Sequence, residues 1–140
     1  MRRRALFAAV ACVAAGALGL EGQATGSPEA GTSADTKPPS QTIFASSRQG
    51  VRSVYLLITV HERGRLTVTA EAGSYRFRSY KRDVVAHIPN EVRLKLSASA
   101  LRSARKALRD GKRMAAVVKS TARDDAGNKR TYTRRIKLKP

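Results

Sequence analysis

Residues 114–138 read MAAVVKSTARDDAGNKRTYTRRIKL, and this stretch decides the predicted fold. Small or apolar residues recur at every second position before the Asp-Asp-Ala-Gly-Asn segment and again after it. This is the period of a half-buried β-strand. The pattern predicts a β-hairpin with strands over 114–122 and 131–138. Arg134 falls on the inward face of the second strand, which a β-bulge or a position near a sheet edge would explain.

The segment between these two strands has two interpretations. As a turn, Gly127 supplies a positive φ, and Asp124, Asp125 and Asn128 satisfy exposed backbone groups locally. As a calcium site, the same three side chains offer hard oxygen ligands. Calcium takes six to eight such ligands, and the segment lacks the spaced acidic pattern of a dedicated site. The sequence therefore favours the turn and predicts no metal.

The residues before this hairpin change from a strand period to a helical one. Leu101, Ala104 and Leu108 recur at helical spacing, Ser97 is a suitable N-cap and Gly111 a suitable stop. The pattern predicts a helix over 98–109. Its predicted outer face is basic and carries Arg102, Arg105, Lys106 and Arg109.

Such a helix either binds a polyanion or an anionic membrane, or simply crosses from one sheet to another. Its alanine-rich inner face favours the crossover.

The first half of the domain also alternates. The segments 54–60 and 65–71 predict a hairpin joined by His-Glu-Arg-Gly, and 42–46 predicts an edge strand. A second hairpin is predicted from Val84 to Leu96, turning at Pro89-Asn90. The segment YRFRSY at 75–80 predicts a shorter strand.

The order of these parts in VRLKLSASALRSARKALRDGKRMAAVVKSTARDDAGNKRTYTRRIKL resembles the C-terminal half of immunoglobulin-like or fibronectin type III-like modules. Such modules occur in secreted and surface proteins of GC-rich bacteria. The resemblance implies an all-β, two-sheet antiparallel immunoglobulin-like sandwich of about seven strands, with one short crossover helix near 98–109. It implies no single activity, because these modules share a scaffold and differ in function.

The N-terminal segment predicts export. Three arginines precede an apolar run from Ala5 to Leu20, and Gly22-Gln23-Ala24 fits a signal-peptidase site. We expect a signal peptide over 1–24, a flexible linker over 25–41 that is rich in Gly, Ser, Thr and Pro, and a domain over 42–140. A retained membrane anchor, lipidation at Cys12 and the twin-arginine route are the alternatives. After cleavage we expect no stable membrane insertion and a location outside the cell or in its envelope.

The charge of the chain narrows the class of partner. The chain of 140 residues carries a formal net charge of +18, and loss of residues 1–24 would remove three arginines and one glutamate. Such a charge points to anionic polymers, although an Arg- and Ala-rich composition is also a product of GC-rich coding. Export argues against a dedicated nucleic-acid function. An anionic envelope polymer or another surface protein is the expected partner.

Catalytic patterns are missing from the sequence. His61 and His87 fall on strands predicted to be separate, and the acidic residues form no pair that a glycosidase would need. We expect a protein that is not an enzyme, uses no cofactor, and acts as a structural or adhesive module at the cell envelope. Binding of an anionic polymer is the alternative. Its predicted contacts lie where aromatic and basic residues interleave, at Arg76, Arg78, Lys81 and Arg82.

Overall fold

A computed structural model describes residues 35–140. The predicted signal peptide at 1–24 and most of the predicted linker at 25–41 lie outside these residues. The end of the linker segment belongs to the fold, because Pro39 is fully buried and Gln41 begins the first strand. The folded region therefore starts slightly before the predicted position 42.

The described residues form two β-sheets and one helix. In chain order the elements are β1 (Gln41–Phe44), β2 (Arg48–Gly50), β3 (Ser53–Val60), β4 (Gly64–Ala72), β5 (Tyr75–Arg76), β6 (Tyr80–Val84), β7 (Pro89–Lys95), α1 (Ala98–Arg109), β8 (Met114–Asp124) and β9 (Lys129–Lys139). The small sheet has the order β1-β3-β7. The large sheet has the order β2-β9-β8-β4-β5, and β6 also pairs with β4. All the pairings are antiparallel except that of β2 with β9.

Alternating apolar residues from both sheets form one core, which explains why these segments fold as strands. Val54, Leu56 and Ile58 on β3 are buried, as are Leu66 and Val68 on β4. Each buried side chain of this size contributes about 1.5–3 kcal/mol relative to exposure. The prediction of an all-β, two-sheet sandwich with one short helix is confirmed at this level.

The predicted helix at 98–109 is confirmed, and both of its ends are capped. The Ser97 hydroxyl accepts the backbone N–H of Ala100 at 3.3 Å. At the other end Gly111 has a φ of 82°, and the N–H groups of Gly111 and Lys112 donate to the carbonyl groups of Leu108 and Ala107. This is the Schellman arrangement. The helix leads from β7 in the small sheet to β8 in the large sheet, as the crossover interpretation predicts.

The predicted hairpin of 54–60 with 65–71 is wrong. Strand β3 lies in the small sheet and β4 in the large sheet, so the His-Glu-Arg-Gly segment carries the chain from one sheet to the other. Alternation in two neighbouring segments predicts two strands, and it does not show that they pair with each other.

The predicted hairpin that turns at Pro89-Asn90 is also wrong. Pro89 and Asn90 are the first residues of β7, which pairs with β3, whereas β6 pairs with β4. The chain instead changes sheets across residues 85–88, where His87 has a φ of 62°. The alternation that suggested a strand here does not correspond to burial, since Ile88 is 54% exposed. Proline is tolerated at Pro89 because it is the first residue of a strand.

Candidate functional site: a basic groove

The four predicted polyanion contacts lie along one edge of the large sheet without forming a single cluster. Arg76 lies opposite Glu71 and makes an ion pair with it at 3.2 Å. Lys81 lies opposite Thr67 on the outer face, four ladder positions from that ion pair. Arg82 lies opposite the buried Leu66, and therefore on the other side of the strand. Arg78 is exposed between β5 and β6.

The aromatic residues of the same segment serve mainly the core. Phe77 is buried and bridges to Leu96, and Tyr75 packs against the core. Stacking on a nucleic-acid base would need these rings to be exposed. The geometry therefore favours the interpretation in which the aromatic residues pack inward and the basic residues are solvated.

The two histidines are brought together, which corrects their predicted placement on separate strands. His61 follows β3 and His87 lies in the turn between β6 and β7. Their ring centroids are 5.2 Å apart in an edge-to-face arrangement, and His61 Nε2 lies 3.1 Å from Thr42 Oγ1. The backbone N–H of His87 donates to the carbonyl oxygen of Val60, so the β6–β7 connection is held against the end of β3.

The Asp-Asp-Ala-Gly-Asn segment is the turn between β8 and β9. Gly127 has a φ of 94°, in agreement with the sequence. The carboxylate of Asp124 accepts the backbone N–H of Asn128 at 2.8 Å and its side-chain Nδ2 at 3.0 Å. Both hydrogen bonds close the turn. One carboxylate oxygen from each of Asp35, Glu62 and Asp124 lies within 4.8 Å of the other two.

Arg134 joins the two sheets, which accounts for a charged residue on the inward face of β9. Its guanidinium donates to the carbonyl oxygens of Ile43 at 2.7 Å and Ala45 at 3.0 Å. Beside it, the buried Gln41 donates to the carbonyl of Ser120 and accepts the hydroxyl of Ser120 at 2.6 Å. The edge explanation holds, because β2 pairs with β9 only at residues 137–139 and leaves β9 as an edge strand at Arg134.

A groove of about 740 Å³ lies where the end of α1 meets the edge of the large sheet. Its apolar floor includes Leu108, Met114 and Leu138. Six exposed cations line it, and none of the described residues in its lining is acidic. These cations are Arg48, Lys112, Arg113, Arg135, Lys137 and Lys139.

The secondary structure holds these charges close together. Arg135 and Lys137 lie two residues apart on one face of β9, and Arg48 on β2 is the register partner of Lys137. Neighbouring strands are about 4.8 Å apart, so Arg48 and Lys137 repel each other across the ladder. The α1 cap directs the chain back towards the sheet and brings Lys112 and Arg113 to the other wall.

Within residues 35–140 the groove cations form no ion pair. The three ion pairs within residues 35–140 are Arg63–Asp125, Arg65–Asp83 and Arg76–Glu71, and all lie elsewhere. Among the ionisable groups described, Arg65 and Asp83 affect each other most clearly. Their hydrogen bond and opposite charges lower the pKa of Asp83 and raise that of Arg65. The groove thus keeps a positive charge that a multivalent anion can meet.

The sequence contained a partial signal for this groove. Arg135, Lys137 and Lys139 alternate along the last strand, so a period of two places all three on its outer face. Arg48 could not be assigned to the same site, because its parallel pairing with β9 is a long-range feature of the fold. The sequence analysis instead selected the segment in which basic and aromatic residues interleave.

The chain matches no protein-family model, and no curated protein sequence matches it significantly. Within residues 35–140, no helix is long and apolar enough to cross a membrane.

Proposed function

We propose that the protein is a non-catalytic, immunoglobulin-like module that is exported to the cell envelope and attaches there to an anionic polymer. The observation that carries this proposal is the basic groove, whose six cations have no ion-pair partner among the described residues. A repeating phosphate or carboxylate polymer would meet several of these cations at once. Release of its counterions would then drive binding.

The strand order supports the immunoglobulin-like part of the proposal. If β1, β3 and β7 correspond to strands A, B and E, then β4, β8 and β9 correspond to C, F and G. Immunoglobulin domains place A, B and E in one sheet and C, F and G in the other. The switch of the first strand from the small sheet, as β1, to the large sheet, as β2, accounts for the single parallel pairing.

The groove fits a flexible polymer better than a rigid small molecule. Its cations Arg135 and Lys137 lie on the outer face of the large sheet, where the neighbouring ladder positions carry Lys119 and a row of threonines. In that row the hydroxyl groups of Thr121 and Thr131 are 2.8 Å apart. Hydroxyl and ammonium groups both donate hydrogen bonds to phosphate or carboxylate oxygens. A chain of anionic units could therefore extend from the groove across the sheet.

The test compares two variants that lose the same kinds of charge. The groove variant replaces Arg48, Arg113, Arg135 and Lys137 with glutamine. The matched variant replaces the sequence-predicted contacts Arg76, Arg78, Lys81 and Arg82 with glutamine. Each variant loses three arginines and one lysine, so a general effect of net charge is the same in both. Binding of poly(glycerol phosphate) is measured at ~0.15 M salt, where exposed charges are screened beyond about 8 Å.

We expect the groove variant to lose at least about tenfold more affinity than the matched variant, a difference of about 1.4 kcal/mol. Thermal unfolding of both variants shows whether the fold is kept. Equal losses would contradict the groove and favour a structural or adhesive module whose charge is merely distributed. A larger loss in the matched variant would transfer the site to the contacts that the sequence predicts.

A further inference from the structure

The outer face of the small sheet is unusually apolar at its centre. Strand β3 buries Val54, Leu56 and Ile58 on one side, and the residues between them are also apolar. Tyr55 is 50% exposed and Leu57 37% exposed, and Phe44 on the neighbouring β1 is 61% exposed. Three large apolar side chains thus face solvent on one face of the small sheet, where a half-buried strand would ordinarily be polar.

These side chains line a second groove, of about 870 Å³, which we call the aromatic groove. Phe44 is the register partner of Leu57, so the two lie side by side across the β1–β3 ladder. Tyr55 lies two residues before Leu57 on β3. The guanidinium carbon of Arg93 lies 4.9 Å from the centre of the Tyr55 ring. The arginine covers Tyr55 from the side of β7, because Tyr55 and Arg93 are register partners.

Polar groups of both charges border these apolar side chains. Glu91 and Arg93 lie two residues apart on the outward face of β7, opposite Leu57 and Tyr55. Glu91 takes part in none of the ion pairs found within residues 35–140. The border therefore offers a carboxylate that accepts hydrogen bonds and a guanidinium that donates them.

The backbone beneath the aromatic groove is fixed before any ligand binds. The side-chain amide of Gln49 accepts the N–H of Tyr55 at 2.7 Å and donates to its carbonyl oxygen at 2.9 Å. On the other side, Arg134 holds the carbonyl groups that flank Phe44. A surface fixed in this way loses little conformational entropy on binding.

We propose that the aromatic groove binds sugar rings of an uncharged polysaccharide. A pyranose ring has an apolar C–H face, which suits exposed aromatic and leucine side chains, and hydroxyl groups around its edge. Glu91 can accept from such hydroxyls while Arg93 donates to their neighbours. The lining carries one carboxylate, Glu91, and two guanidinium groups, of which that of Arg134 already donates to backbone carbonyl groups. This small net charge fits an uncharged ligand, in contrast to the six cations of the basic groove on the large sheet. The proposal is independent of the function proposed for that groove.

A second copy of the chain fits this face less well. A stable dimer buries about 1,200–2,000 Å² in total, and the apolar part of this face consists of three side chains. Pairing would also bring together two strongly cationic chains, which repel each other.

Titration of the ¹⁵N-labelled protein with cellopentaose and chitopentaose, followed by NMR, tests the proposal. We expect saturable shifts at Phe44, Tyr55, Leu57 and Arg93 with at least one of the two probes. Tyr55→Ala should weaken that binding about tenfold, equal to about 1.4 kcal/mol, and Tyr55→Phe should retain most of it. Glu91→Gln should weaken binding without changing the melting temperature. Val85→Ala is the matched control, because Val85 is 58% exposed and does not line this groove.

Three results would overturn the proposal. The first is that neither probe shifts these residues at millimolar concentration. The second is that Tyr55→Ala binds as well as the unaltered protein. In the third, the same residues shift on dilution without sugar, which would identify a second copy as the occupant. Far-UV circular dichroism of Tyr55→Ala separates loss of the site from loss of the fold. Because the basic groove lies on the other sheet, failure here leaves poly(glycerol phosphate) binding unaffected.

Discussion

Replacement of Gly64 by alanine tests how closely β4 and β8 approach beside the turn. A Cβ atom at position 64 would lie 2.0 Å from the carbonyl oxygen of Arg123 and 2.8 Å from the Cα of Asp124. Both neighbours are backbone atoms, so no side chain can rotate away. The φ of Gly64 is not in the left-handed region, and the cost is therefore steric.

The expected loss of stability combines three contributions. Overpacking costs about 1–3 kcal/mol, and a weakened hydrogen bond at the end of the ladder adds about 1 kcal/mol. Alanine recovers about 0.4–1 kcal/mol by restricting the unfolded chain. The free energy of unfolding should fall by about 1–3.5 kcal/mol, which lowers the melting temperature of a domain of this size by about 4–28 °C.

Urea denaturation of Gly64→Ala beside Gly50→Ala measures this difference. Gly50 is the matched control, because a Cβ atom there meets nothing within 4 Å and its φ is also outside the left-handed region. We expect Gly50→Ala to be neutral or slightly stabilising, with an unchanged m-value in both variants. Equal midpoints for the two variants would refute the close approach of β4 to the turn.

Three further predictions concern the edge of β1, the turn and one ion pair. Gln41→Leu should destabilise the domain by about 1–3 kcal/mol, because it leaves the buried Ser120 hydroxyl unpaired. In a double-mutant cycle, adding Ser120→Ala should recover part of this loss of stability. Strictly additive losses would contradict the contact between the two side chains. Gly127→Val should lower the free energy of unfolding by about 1–3 kcal/mol, because valine is strained at a positive φ. Calcium should leave the melting temperature of the unaltered protein unchanged. A calcium-dependent rise in melting temperature that Asp124→Asn abolishes would instead establish an ion site. Asp83→Asn should be less stable than the unaltered protein at neutral pH. Since Arg65 lowers the pKa of Asp83, that difference is present above the ordinary aspartate range and should disappear as the pH falls through the lowered pKa; denaturation midpoints that differ equally at pH 7 and in strong acid would contradict it.

Local patterns were sufficient to predict the parts of the fold that depend on neighbouring residues. The helix at 98–109 could be predicted because its N-cap, glycine stop and apolar spacing all agree. The β8–β9 hairpin could be predicted because Gly127 and the alternation on both sides are visible in one segment. Pro89-Asn90 misled the prediction, since the same dipeptide suits a turn and the start of an edge strand.

Long-range features explain what the sequence could not show. The basic groove depends on the parallel pairing of β2 with β9, which joins residues 48–50 to 137–139. The four contacts predicted within 76–82 do not form one patch, because Lys81 and Arg82 point to opposite sides of β6. The aromatic groove had a visible signal, the apolar outward residues Tyr55 and Leu57, but the near-continuous apolar run of β3 masked it.

The salt dependence of polyanion binding tests the basic groove most directly. A B-DNA duplex serves as a general polyanion, and its affinity is measured over a range of salt concentrations for the unaltered protein, the groove variant and the matched variant. Each lost phosphate contact reduces the slope of log K against log[salt] by about 0.9. The account predicts that the groove variant loses about 3–4 units of slope and the matched variant less than about 1. Equal slopes for the two variants, or a larger loss in the matched variant, would contradict it.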